Sequence, residues 1–227
     1  MRRSEVNAIL AEAEAFIRSL GFALPPFANW SPDAFREKGD IGDLVSARLG
    51  WDVTDYGQGR FDRLGLVLFT LRNGRPEDLA AGGGRVYAEK LLISREGQLS
   101  PMHRHIRKTE DIINRGGATL VLDLHTAGAD GRPDRGAPVS VVCDALPRQL
   151  APGERLRLAP GESVTLRPDI WHAFWAEGGD VLAGEVSTVN DDETDNIFED
   201  TLPRFSEIDE DVAPRRLLVS DYARVFA

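Results

Sequence analysis

The sequence predicts a mainly β protein, an antiparallel barrel or sandwich carrying a helical extension at its N-terminus. Three observations support this. From Trp51 onward the chain breaks into short segments rich in β-branched residues, separated by Gly, Pro or Asp. Residues 1–50 carry helical spacing and no strand pattern. Two of only four histidines, in "PMHRH", stand one residue apart in a strand-like segment, so both project to one face.

The elements follow in order. Residues 4–20 read as a helix: Val6, Ile9, Leu10, Ala13, Phe16, Ile17 and Leu20 recur at helical spacing, with Ser4 as N-cap and Gly21 as terminator. A proline-punctuated loop, "ALPPFANWSPDAF", follows. Ser31 caps a second short helix with Pro32 at its first position, and one or two further turns run to residue 47. "RLGLVLFTLRNG" is a strand ending in an Asn73-Gly74 turn. "RVYAEKLLIS", "GQLSPMHRHI", "GATLVLDLHTA", "PVSVVCDALP", "ERLRLAPG", "SVTLRPDIWHAFWAE" and "DVLAGEVSTVN" continue the strands. Residues 215–226 end the chain as a strand and a short helix. Residues 1–50 are a helical extension and 51–227 a barrel with a C-terminal extension, one structural domain overall.

Bulk properties exclude several classes. A net charge of −10 argues against nucleic acid or an anionic membrane as partner, since either favours a basic face. No apolar run approaches the roughly 20 residues of a membrane helix. Glu5, Glu12 and Glu14 interrupt any signal-peptide core, so the N-terminus reads as mature structure. These features fit a soluble cytoplasmic protein. The one cysteine, Cys143, rules out an intrachain disulfide and reads as a small buried residue of an apolar run.

His103 and His105 share a face, and Glu110 joins them if the chain turns or bulges after His105. His172 lies in a later strand, "RPDIWHAFW", which a small barrel can bring alongside. Three imidazoles and a carboxylate suit a divalent first-row metal: zinc, iron, cobalt or nickel for the imidazoles, with the carboxylate extending the choice to manganese. His125, at a strand end in "DLHTAG", reads as an ordinary hydrogen-bonded histidine.

The segment "GQLSPMHRHIRKTEDIINRGG" resembles the first cupin motif at every fixed position: Gly97, His103, His105, Glu110 and Gly117. "GESVTLRPDIWHAF" is similar to the second motif through Gly161 and His172. It departs in the displaced Pro168, the absence of glycine before the histidine, and Ala176 where asparagine is common. A wider resemblance, carried by "LPPFANWSP", "LGWDVTDYG", "LFTLRNG", "YAEKLLI", "WHAFWAE" and "GEVSTVNDDETDNIF", is to the cupin-fold D-lyxose isomerases of bacteria. It implies a cupin jelly-roll β-barrel and a manganese-preferring metal site. It also implies a homodimer and interconversion of D-lyxose with D-xylulose, with D-mannose and D-fructose as secondary substrates.

Aldose–ketose isomerisation moves a proton between C1 and C2 through a cis-enediolate. It needs a Lewis acid at the substrate oxygens and a proton carrier. The chain has three lysines, Lys38, Lys90 and Lys108, among 27 basic residues, and two of them fall in strands around the histidines. Lys108 and Glu185 are expected to carry protons and Lys90 to orient the substrate oxygens. Asp191, or its neighbour Asn190, is expected to bind sugar hydroxyls, and Trp30 to reach over the barrel mouth. Trp171 and Trp175 are further stacking surfaces. Two other readings use the same ligands: an iron(II) cupin dioxygenase, whose pocket would be apolar, and a non-catalytic sugar-binding cupin, which would not need the lysines.

Overall fold

The computed structural model describes residues 1–226. The apolar stripe of the N-terminal segment forms helix α1 (Arg3–Ser19), burying Val6, Ile9, Leu10, Ala13 and Ile17 along one face. The helix starts one residue before the expected cap. Arg2 takes the capping position, while Ser4 Oγ donates instead to Asp211 Oδ2 at 2.6 Å. Gly21 ends the helix at φ +75°, where a left-handed residue lets the Phe22 N–H reach the Ile17 carbonyl at 3.3 Å. Ser31 caps α2 (Pro32–Arg36) by accepting the Ala34 N–H at 3.1 Å, and α3 (Gly42–Ser46) completes the helical segment.

The strands are β1 (Gly50–Thr54), β2 (Leu66–Arg72), then after α4 (Pro76–Ala81) β3 (Tyr87–Ser94), β4 (Ser100–His105), β5 (Glu110–Ala127), β6 (Pro133–Asp134), β7 (Val139–Cys143), β8 (Leu146–Leu150), β9 (Leu156–Leu158), β10 (Ser163–Leu166), β11 (Ile170–Thr188) and β12 (Asn196–Phe198). Their hydrogen-bonded order is β1-β2-β3-β11-β5-β10-β7-β8, with β4 pairing β11 and β12, and β6 and β9 pairing β5. All these pairs are antiparallel.

β5 and β11 pair along most of their length and serve two sheet faces. The first half of β11 pairs with β4, bringing His172 opposite His103, and the second half pairs with β3, bringing Glu185 opposite Lys90. The two halves do not share one alternation. His172, Phe174 and Ala176 point inward, then Val181, Ala183 and Glu185 do. The parity changes where the register shifts between Glu177 and Val181, beside the left-handed Gly178 and Gly179. The turn expected there is thus a bulge inside one strand.

β2 and β3 are covered on both faces. Leu66, Leu68 and Leu92 fill the barrel interior, while Val67, Phe69, Leu91 and Ile93 pack beneath α1 with Trp51 and Val53. Two-sided burial explains why "LVLFTL" and "LLI" lack alternation. The Asn73-Gly74 pair is not a tight hairpin: α4 intervenes before β3, and the Asn73 side chain is engaged elsewhere. The C-terminal strand is also absent. Leu218 makes a single bridge to Trp51, and α5 (Tyr222–Val225) is the last element among the described residues. Cys143, expected to be buried, is half-buried at the end of β7, and burial pushes its thiol up. No helix among the described residues is long and apolar enough to cross a membrane.

Candidate metal centre and active site

Four side chains meet inside the barrel. The ligand atoms of His103, His105 and His172 all lie within 4.8 Å of one another. Glu110, at the start of β5, places Oε1 3.3 Å from His105 Nε2 and 3.2 Å from His172 Nε2. Donors each about 2.1 Å from a common ion stand about 3.0–3.4 Å apart, so these separations suit a first-row metal.

The proton arrangement points the same way. His103 Nδ1 donates to the Pro101 carbonyl at 2.8 Å and His172 Nδ1 to the Ile170 carbonyl at 3.0 Å. A carbonyl can only accept, so in the neutral, metal-binding form of each ring Nε2 carries the lone pair. The His172 Nε2 lone pair then faces Glu110 Oε1, a buried oxygen with no hydrogen-bond donor. Two acceptors held together without a proton are repulsive, and a cation between them removes the conflict. Burial, reinforced by the neighbouring imidazoles, pushes His103 well below the usual histidine range, and burial with the Lys108 charge lowers His105. Neutral imidazoles are the form that binds metal. Burial would raise the Glu110 carboxyl, yet the Lys108 ammonium beside it overrides this and holds it well below the usual carboxylate range.

Beside the ligands lies a chain of alternating charges. Lys108 Nζ stands 2.7 Å from Glu110 Oε2, donates to Glu185 Oε1 at 2.8 Å, and reaches Asn190 Oδ1 at 3.3 Å. Lys90 Nζ lies 3.9 Å from Glu185 Oε1 and 3.3 Å from Asp192 Oδ1. Arg204 approaches Asp192 at 3.5 Å and the buried Asp52 at 2.9 Å. Lys90, Lys108 and Glu185 are all nearly fully buried. Burial works against the Lys108 charge, but Glu110 and Glu185 override it, so its ammonium holds its proton more tightly than a free lysine. Asp192 is held below the usual range: burial opposes ionisation, and Lys90 and Arg204 outweigh it.

Tyr56, Ser100 and Asn196 add polar groups, and Leu66, Leu68, Leu92, Ile112, Phe174 and Phe198 complete the lining, which leaves about 40 Å³ of free space. That admits a few waters and is less than a sugar of ten heavy atoms requires.

The placement of the expected residues divides. His103, His105, Glu110, His172, Lys90, Lys108 and Glu185 converge on this pocket. Asp191 does not: its carboxylate turns back to the N–H groups of Glu193 and Thr194, and Asp192 faces Lys90 instead. Trp30 does not reach the barrel mouth, because it packs edge-on against Phe35 and lies under Lys38. Trp171 and Trp175 lie beneath Arg104 and Arg155, outside the pocket lining. His125 stands apart, with Nε2 3.2 Å from Asp123. Sequence reasoning missed Asp192, Asn196, Phe198, Arg204 and Tyr56. Only Asp192 had a signal, its adjacency to the acidic residue chosen.

A profile of the D-lyxose isomerase family matches residues 1–222. The chain belongs to the D-lyxose isomerase family. It is 48% identical over 232 residues to the D-lyxose/D-mannose isomerase of Serratia proteamaculans, covering 100% of both chains. It is 42% identical over 226 residues to that of Escherichia coli O157:H7, covering 98% of each. Among solved structures, the L-ribose isomerase of Cellulomonas parahominis with L-ribose superposes with a TM-score of 0.60 at 20% identity, over 92% of this chain and 98% of that one. The L-ribose isomerase of Geodermatophilus obscurus gives 0.57 at 20% identity, over 92% and 98%. These similarities establish a cupin-like fold, and family membership identifies the chain as a sugar isomerase.

Proposed function

We propose that this chain interconverts D-lyxose with D-xylulose, and D-mannose with D-fructose, by proton transfer through a cis-enediolate. The observation that carries the reading is the Lys108–Glu185 pair, buried within one contact of Glu110. His103, His105, Glu110 and His172 would hold one divalent ion, manganese by preference, whose Lewis acidity would polarise the substrate carbonyl. The chain's own residues supply the rest. Glu185, facing two lysines, is the carboxylate that takes the proton from one carbon, exchanges it with solvent, and delivers a proton to the next. Lys108 keeps its proton and donates it towards the substrate oxygen as charge develops there. Lys90, Asp192 and Arg204 orient the remaining hydroxyls. D-lyxose and D-mannose share their configuration at C2, C3 and C4, so a pocket that reads those centres accepts both.

The buried Lys108–Glu185 pair beside Glu110 favours this over an oxygenase and over a binding protein, neither of which needs a proton carrier there. Metal-stripped protein reloaded with manganese should form ketose from D-lyxose and D-mannose without oxygen uptake. Oxygen consumption, or sugar binding without conversion, would overturn the proposal.

A further inference from the structure

Asn73 follows β2 and its residue is 5% exposed. Its side chain joins three separate segments. Nδ2 donates to the Ala47 carbonyl at 3.3 Å and to the Asn190 carbonyl at 3.0 Å, while Oδ1 accepts the Asn190 N–H at 3.0 Å. The two bonds to Asn190 reproduce the reciprocal pair by which one strand residue holds another. They span 117 positions of sequence.

Asn73 is itself held in place. Arg85 Nε donates to its carbonyl at 3.1 Å, and the adjacent Gly74 N–H donates to the Tyr87 carbonyl at 3.1 Å. A Cβ at Gly74 would stand 1.7 Å from the Arg85 carbonyl oxygen, so the close approach admits only glycine. The loop gripped by this anchor begins with the Asn190 carboxamide on Lys108 and continues to the Asp192 carboxylate on Lys90.

We propose that Asn73 is a positioning residue that sets the register of the Asn190–Asp192 loop against Lys108 and Lys90, and so fixes the polar wall of the catalytic pocket. It lies outside the pocket lining and acts through the Asn190 backbone. The role needs a donor and an acceptor on one short, planar group. Aspartate keeps only the acceptor, and alanine keeps neither.

The proposal rests on the isomerase reading for its activity assay. The test compares wild type, Asn73→Ala and Asn73→Asp for manganese stoichiometry, kcat and KM with D-lyxose, and amide hydrogen exchange. Asn73→Ala should keep one manganese per chain and lose kcat by about 10–100-fold, the scale of a displacement of about 1 Å in a pocket wall. Exchange should quicken at residues 190–193 and stay unchanged in β5 and β11. Asn73→Asp should fall between the two. If Asn73→Ala does not fold, Asn73→Asp carries the same comparison. The proposal is overturned if kcat in the folded variants stays within about two-fold of wild type. It is equally overturned if exchange rises throughout the barrel, or if neither variant folds, since Asn73 is then a structural residue only. If wild type itself makes no ketose, the isomerase reading has failed, and the exchange arm still reports on the anchor.

Discussion

At the scale of single residues, the proposed mechanism separates metal holding from proton handling. Glu185 touches Lys108, Lys90 and Ser187 but none of the histidines, so changing it leaves the ligand set whole. Glu185→Gln should therefore retain manganese and lose turnover by about two to four orders of magnitude, the usual contribution of a positioned base. Lys108→Met should also lose turnover, and manganese affinity should change in the same variant because Lys108 contacts Glu110 directly. Steady-state kinetics with metal analysis on both variants checks this. The convergence of His103, His105, Glu110 and His172 was legible in the sequence because their spacing is fixed and histidine is scarce. Asp191 was not distinguishable from Asp192, since an acidic run carries no periodicity once the strand ends. Trp30 showed the same limit: a loop position does not reveal whether a ring faces a pocket or, as here, Phe35.

At the scale of elements, the bulged pairing of β5 with β11 decides where Glu185 points. Gly117 sits in that region at φ +97°, and a Cβ there would stand 2.2 Å from the Asp180 carbonyl oxygen. Gly178 has a similar φ of +81° with nothing within 4 Å of its Cβ position. Gly178→Ala should cost about 1–2 kcal/mol, the ordinary penalty of a left-handed alanine. Gly117→Ala should cost about 3 kcal/mol or more, because the strands must also part. Chemical denaturation of the two variants measures the difference, and equal costs would mean that the close approach is not needed. The sequence showed strands on either side of Gly178 but not their continuity, since a glycine pair marks a turn and a bulge alike. It also ended the strand in a turn at Asn73-Gly74, where the backbone closeness belongs to Arg85 and the side chain to Asn190.

At the scale of the whole molecule, α1 covers one sheet face and the C-terminal segment holds α1. The buried Arg3 bonds Glu210 and Asp221, and the buried Glu14 bonds Arg215 and Arg216. The helix and its apolar face could be read from periodicity. These long-range ion pairs could not, because nothing local ties residue 3 to residue 221.

The buried charges also set a pH dependence for the metal-free protein. His103 and His105 have folded values below the ordinary 6.5, so below that pH the unfolded chain takes up protons that the folded chain refuses. Glu110 and Asp192 have folded values below their ordinary 4.5 and 3.8, which repeats the effect at lower pH. Both terms have the same sign, opposed only in the acid range by Asp52, whose carboxyl burial raises: stability is full from about pH 7 to about pH 10, declines below about pH 6.5, and falls further below about pH 4.5. Denaturant midpoints in the presence of chelator should follow that course, and a midpoint that rises on acidification would contradict it.

The central claim is that one metal held by His103, His105, Glu110 and His172 serves proton transfer on an aldose. The most direct test is conversion of D-lyxose in deuterium oxide by metal-stripped protein given one equivalent of manganese. The account predicts D-xylulose carrying solvent deuterium at C1, and no ketose from His105→Ala, which should also retain no metal. Ketose formed at an undiminished rate by His105→Ala, or product made without any solvent deuterium, would contradict it.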